Sequence, residues 1–165
     1  MRALQRKLRG ASTRVGFSFA LSLLLAAPVA AQKTTLTLSG GTITFPAPTA
    51  ADYIVGWINS SNGVTFTVNA QNGASRTTTV LLRTISATLG NGKAIGDLQW
   101  RRADLATWNS ISVSDTQVEQ RIVIRNGVND PWSNTIFFRM VLNWTTDSPA
   151  TYSADYQLTL AQTVP

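Results

Sequence analysis

Residues 134–144, NTIFFRMVLNW, and residues 151–161, TYSADYQLTLA, decide the fold class. In the first stretch Ile136, Phe138, Met140, Leu142 and Trp144 recur at every second position. In the second, Tyr152, Ala154, Tyr156, Leu158 and Leu160 alternate with Ser153, Asp155, Gln157 and Thr159. A period of two is that of a half-buried β-strand, and a slip of one residue would turn every apolar side chain to the wrong face.

The same period runs back through most of the chain. Leu36 and Leu38 alternate with Thr35 and Thr37, Gly40-Gly41 interrupts, and Ile43 and Phe45 then alternate with Thr42 and Thr44. Tyr53 to Ile58 forms a third apolar run, and Val64, Phe66 and Val68 alternate with Thr65, Thr67 and Asn69. Thr77 to Leu89 holds one or two strands, and Asp97 to Arg101 with Trp108 to Val113 reads as a hairpin. Gln117 to Arg125 places Val118, Ile122 and Ile124 on one side. Asn-Gly pairs at 62–63, 72–73, 91–92 and 126–127 supply residues that tolerate positive φ in tight turns. Helical periodicity goes no further than a turn at Ala103 to Thr107. The expectation is an all-β chain: one immunoglobulin-like antiparallel sandwich of about eight to ten strands, with a β-barrel as the runner-up.

Ahead of these strands the chain reads as a targeting segment. Arg2, Arg6, Lys7, Arg9 and Arg14 form a positive region, and Val15 to Ala27 is an apolar run of thirteen residues. That run is shorter than the roughly 20 residues that span a bilayer. Pro28 and then Val29-Ala30-Ala31 supply a break and small residues for cleavage after Ala31, so residues 1–31 are expected to be a signal peptide. Residues 32–165 are then a single exported domain, with 32–46 as a possible N-terminal exchange strand. The expected destination is periplasmic, cell-surface or extracellular, with no membrane insertion after cleavage.

The signal peptide also explains the formal charge of +6. Five of the fourteen Lys and Arg lie within it, which leaves nine against eight Asp and Glu. Arg101-Arg102 is then the one adjacent basic pair, which is not the concentrated basic face that nucleic acid requires. Nucleic acid is therefore not expected as a partner.

The chain has no His and no Cys, which excludes His-based triads, thiol nucleophiles, the common zinc sites and disulfides. Carboxylates remain: Asp52, Asp97, Asp104, Asp115, Glu119, Asp130, Asp147 and Asp155, most of them beside turn residues. Two carboxylates at the right separation hydrolyse glycosides, but solvated turn acids are the expected reading. Asn129-Asp130 and Asp147 could join backbone carbonyls around calcium, yet no Asp-x-Asp-x-Asp loop is present. The expectation is a non-enzymatic protein with no catalytic residue, metal or cofactor.

Two binding features remain. The five tryptophans at 57, 100, 108, 132 and 144 stand out. Trp57 and Trp144 are assigned to core or corner packing, with each buried indole N–H finding a partner. Trp100, Trp108 and Trp132 are the candidates for stacking on sugar rings, which would make the domain a carbohydrate-binding module for polysaccharide. The second feature is Thr34 to Phe45, whose Leu36, Leu38, Ile43 and Phe45 could add as a strand to the sheet edge of another copy.

The alternating strand after the signal peptide and the closing pattern Asn143-Trp144 … Pro149-Ala150-Thr151-Tyr152-Ser153-Ala154-Asp155-Tyr156-Gln157-Leu158-Thr159-Leu160 resemble secreted bacterial β-sandwich subunits of the fimbrial and spore-coat-U type. The resemblance implies a structural or adhesive surface subunit, partnered by itself or by other surface subunits and assembled by β-strand addition. The chain departs from that pattern in lacking a cysteine pair and in ending Thr163-Val164-Pro165.

Overall fold

The computed structural model describes residues 34–39, 42–70 and 73–163, and these belong to one compact unit. The expected signal peptide lies outside the described residues. The chain is an all-β antiparallel sandwich, and among the described residues no sheet closes into a barrel. The described residues hold eleven strands against the expected eight to ten, because short pairings at Ile43–Phe45, Asn109–Ser110 and Tyr152–Ala154 count separately.

The larger sheet has the order β1 (Thr35–Ser39), β4 (Val64–Asn69), β9 (Trp132–Val141), β6 (Leu98–Arg102) and β7 (Asn109–Ser110), with β3 (Trp57–Asn59) also paired to β9. Facing it, β11 (Tyr156–Thr163), β5 (Arg76–Thr84) and β8 (Thr116–Val123) form a three-stranded sheet, and β2 (Ile43–Phe45) pairs with β10 (Tyr152–Ala154). Asp155 alone separates β10 from β11. Its backbone carbonyl accepts from Ile85 N and Thr84 Oγ1, while its N–H donates to Ser86 Oγ.

The alternation in the two deciding stretches is realised as a shared core. Ile136, Phe138 and Met140 point inward from β9 to meet Val80 and Leu82 of β5 and Leu158 of β11. Phe66 and Val68 of β4 and Leu98 of β6 complete the same layer without solvent exposure.

Three local expectations are corrected. The run beginning at Tyr53 opens in a six-residue helix, α1 (Ala50–Val55), rather than a strand. Its cause is a capping box: Thr49 Oγ1 accepts from Asp52 N, and the Asp52 carboxylate accepts from Thr49 N. Gly56 ends the helix in the left-handed region at φ 87°. No helix forms over Ala103 to Thr107, where the chain makes only a hydrogen-bonded turn with Leu105 N donating to the Arg102 carbonyl. In β8 the pairing jumps from Val80↔Glu119 to Leu81↔Gln117, so Val118 is an extra residue in a bulge. The bulge shifts the alternation by one, and Val118 and Val123 face inward while Ile122 and Ile124 turn to solvent.

Of the Asn-Gly turns, 91–92 has both residues at positive φ and 126–127 has Asn126 alone. At 62–63 a different constraint selects glycine. A Cβ on Gly63 would stand 2.6 Å from Thr135 Cγ2 and 2.9 Å from Phe137 Cε1, so this turn lies directly on the outer face of β9.

Candidate functional site

The N-terminal candidates divide between the two sheets. On β1, Leu36 and Leu38 lie opposite Val68 and Phe66 of β4, on the inward-facing side. Leu36 is half-buried against the core, yet Leu38 remains 48% exposed. It lines an open groove of about 320 Å³ with Thr42, Ile85, Asp155 and Tyr156, at the seam between the sheets. On β2, Ile43 and Phe45 are enclosed in the core, and Phe45 pairs across the strands with Tyr152. The four residues therefore do not act as one segment: β2 is anchored and β1 lies on an edge.

Four of the five tryptophans are placed opposite to expectation. Trp100 and Trp132, two of the three sugar-stacking candidates, are buried in the core at 3% and 4% exposure, with no face open to a ligand. Neither indole N–H has a hydrogen-bond partner among the described residues. An unpartnered buried donor costs about 1–3 kcal/mol. Trp132 meets Phe66 edge-on at 5.5 Å and carries the Arg121 guanidinium 4.8 Å from its ring centre. Trp57 and Trp144, assigned to packing, are exposed instead. Trp144 stacks on Tyr53 of α1 at 4.5 Å.

Trp108, the third candidate, lies on the outer face of the larger sheet beside Trp57, Phe137, Arg101 and Arg139. These five side chains form a row. Arg139 is 5.2 Å from the Trp57 ring and 4.5 Å from Trp108, and Arg101 is 5.1 Å from Trp108 and 5.2 Å from Phe137. Cross-strand register builds the row. Asn59 pairs with Arg139, Gln99 with Arg139 and Arg101 with Phe137, which puts neighbouring strands' outward residues side by side. With Asn59 and Ser60 they line a groove of about 380 Å³.

Most of the carboxylates hold local structure. Asp52 caps α1, Asp130 accepts from Ala70 N and Asn126 N, and Asp147 accepts from Asn143 N and Lys93 Nζ. Asp97 pairs with Lys93 and Asp115 with Arg83. Asp130 and Asp147 thus belong to separate turns rather than to one calcium site. Asp104 and Glu119 do converge, because Asn134 Nδ2 donates to both and Arg102 faces both. Buried Glu119 also takes Arg121 at 2.6 Å. The hydrogen bond from Arg102 holds the Asp104 carboxyl below its ordinary range, with Asn134 assisting against a small effect of burial. A glycosidase acid needs the opposite, a carboxyl kept protonated near neutral pH.

These features define an all-β sandwich most of whose carboxylates serve turns and ion pairs, and whose surface includes a sheet edge and an aromatic–guanidinium face. No family model, curated protein or solved structure matches the chain.

Proposed function

We propose that this chain is an exported, non-enzymatic structural or adhesive subunit of a cell surface or extracellular matrix, and that copies associate by exchanging β1. The observation that carries the reading is the contrast within the N-terminal segment. Ile43 and Phe45 lock β2 into the core, whereas β1 covers one edge of β4 and leaves Leu38 over an unfilled seam. A strand leaving that edge uncovers the backbone N–H and C=O groups of β4, and the same strand from a second copy restores every bond. Exchange of an identical element is a low-cost route to association for this reason. In the sequence Gly40-Gly41 separates the two stretches, and glycine is the residue with the greatest backbone freedom. The polar side chains of β1 place a threonine ladder on the outside, where Thr37 Oγ1 donates to the Thr67 carbonyl.

The cysteine-free chain permits a direct test. Thr37 and Thr67 are direct cross-strand partners, and such Cα atoms lie about 4.5–5.5 Å apart, within the span a disulfide bridges. A Thr37→Cys variant co-refolded with a Thr67→Cys variant is expected to yield disulfide-linked pairs on a non-reducing gel. If the mixture stays unlinked while the double variant closes within one chain, β1 is an ordinary edge strand and the exchange reading fails.

A further inference from the structure

We infer that the outer face of the larger sheet is a binding site for an acidic polysaccharide, with Arg101 and Arg139 engaging carboxylates and the exposed Trp57 engaging a sugar ring. The site is distinct from β1 and does not depend on strand exchange.

The charge arrangement carries the argument. Arg83, Lys93, Arg102 and Arg121 each face a carboxylate. Arg101 and Arg139 face none among the described residues; Arg76 and Arg125 share that lack, but Arg101 and Arg139 stand together in a groove whose lining contains no acid. Arg139 donates through Nε to Gln99 Oε1, and Arg101 donates through Nη1 to the carbonyls of Arg102 and Leu105. These bonds orient the two side chains without neutralising them, and they leave Nη2 of Arg101 and both Nη groups of Arg139 for a ligand. A guanidinium over an aromatic ring is held by cation–π attraction, and its planar fork matches a carboxylate. Two fixed positive charges therefore stand within about 5 Å of one indole ring, ready for bidentate contacts.

Two unpaired arginines in contact with the same indole select a ligand with repeated carboxylates over a single small anion. Aromatic and cationic groups alternate from Trp57 through Arg139, Trp108 and Arg101 to Phe137. A uronate chain presents the matching alternation, an apolar ring face followed by an acid. The groove's volume falls within the roughly 300–1,000 Å³ of small-ligand clefts. Asn59, exposed at the groove, offers an amide to ring hydroxyls. A purely acidic peptide such as poly-glutamate would satisfy the two arginines but has no counterpart for the exposed Trp57 surface.

The test is titration of the folded chain with polygalacturonate, read by tryptophan fluorescence and calorimetry, beside its fully methyl-esterified form and poly-glutamate. Saturable binding to polygalacturonate is expected, falling with added salt, with the ester and the polypeptide at least tenfold weaker. Arg139→Gln is expected to weaken it by about tenfold or more, the scale of one charged hydrogen-bonded contact. Arg139→Lys, which keeps the charge and loses the fork, should lie between. Trp57→Ala, a change at an exposed position, should weaken binding while leaving the thermal midpoint in place. No saturation by polygalacturonate, equal binding of the ester or of poly-glutamate, or indifference to both Arg139 variants would each overturn the assignment.

Discussion

Phe45→Ala is expected to destabilise the domain by about 3–5 kcal/mol, while Leu38→Ala, seven residues earlier in the same alternating segment, should cost under about 0.5 kcal/mol. Phe45 has no solvent exposure and lies opposite Tyr152, whose own ring is buried and whose hydroxyl donates to the Ser148 carbonyl. Truncation leaves a cavity that the β2–β10 pair cannot close without dragging Tyr152 from that bond. Leu38 is half in water already, so removing its methyls forfeits little packing. For a domain whose total stability is on the order of 5–15 kcal/mol, the first variant would be marginal and the second indistinguishable from the parent. Urea unfolding followed by tryptophan fluorescence measures both. Equal losses would mean that β1 is as firmly built into the fold as β2, which would remove the physical basis for exchanging one without the other. If assembly proceeds through the seam beneath β1, Leu38→Ala should lower association while leaving monomer stability unchanged.

The placement of these residues was legible in part. Side-chain parity alone assigns much of the core: Trp132 shares its parity with Ile136, Phe138 and Met140, and Trp100 shares its parity with Leu98. Extending the deciding strand back two residues to Trp132 would have assigned that indole to the interior. The same reasoning puts Trp57 outside, next to the inward Ile58. Thr49-Ala50-Ala51-Asp52 likewise carries a cap signal that the apolar run after it obscured. The bulge at Val118 was not legible, because it inserts a residue against a partner strand nearly 40 positions away. Nor was the row of arginines over aromatics, since Trp57, Trp108 and Arg139 become neighbours only once β3 and β6 settle in register on β9. Sequence pattern reports which face a side chain occupies; cross-strand register decides what it meets there.

Lys93 illustrates the same limit with a larger energetic consequence. It sits after the Gly90-Asn91-Gly92 turn, is 4% exposed, and reaches Asp147 some fifty residues away as well as Asp97 at 2.9 Å. Burial alone would lower its affinity for a proton, but the two acids outweigh burial and its pKa rises above 10.5. Asp147 is the complement. Burial favours its neutral form, yet hydrogen bonds from Lys93 and Asn143 N hold its pKa below 3.8. A buried ion pair broken from one side leaves an uncompensated charge, so Lys93→Met is expected to cost about 3–5 kcal/mol. Asp147→Asn should cost less, because Lys93 retains Asp97 and the amide oxygen can still accept from Asn143 N. Lys93→Met with Asp147→Asn together should be more stable than Lys93→Met alone, since no charge is then stranded. The pH dependence follows from the two shifts. The Asp147 contribution is complete above the ordinary carboxylate range and lost as pH falls through its depressed pKa. The Lys93 contribution is complete below about pH 10 and lost as pH rises through its elevated pKa. Urea midpoints for the parent should therefore drop at both extremes, and in the double variant both slopes should shrink. If Lys93→Met were no less stable than the double variant, the pair would be stabilising through packing of the lysine stem rather than through charge.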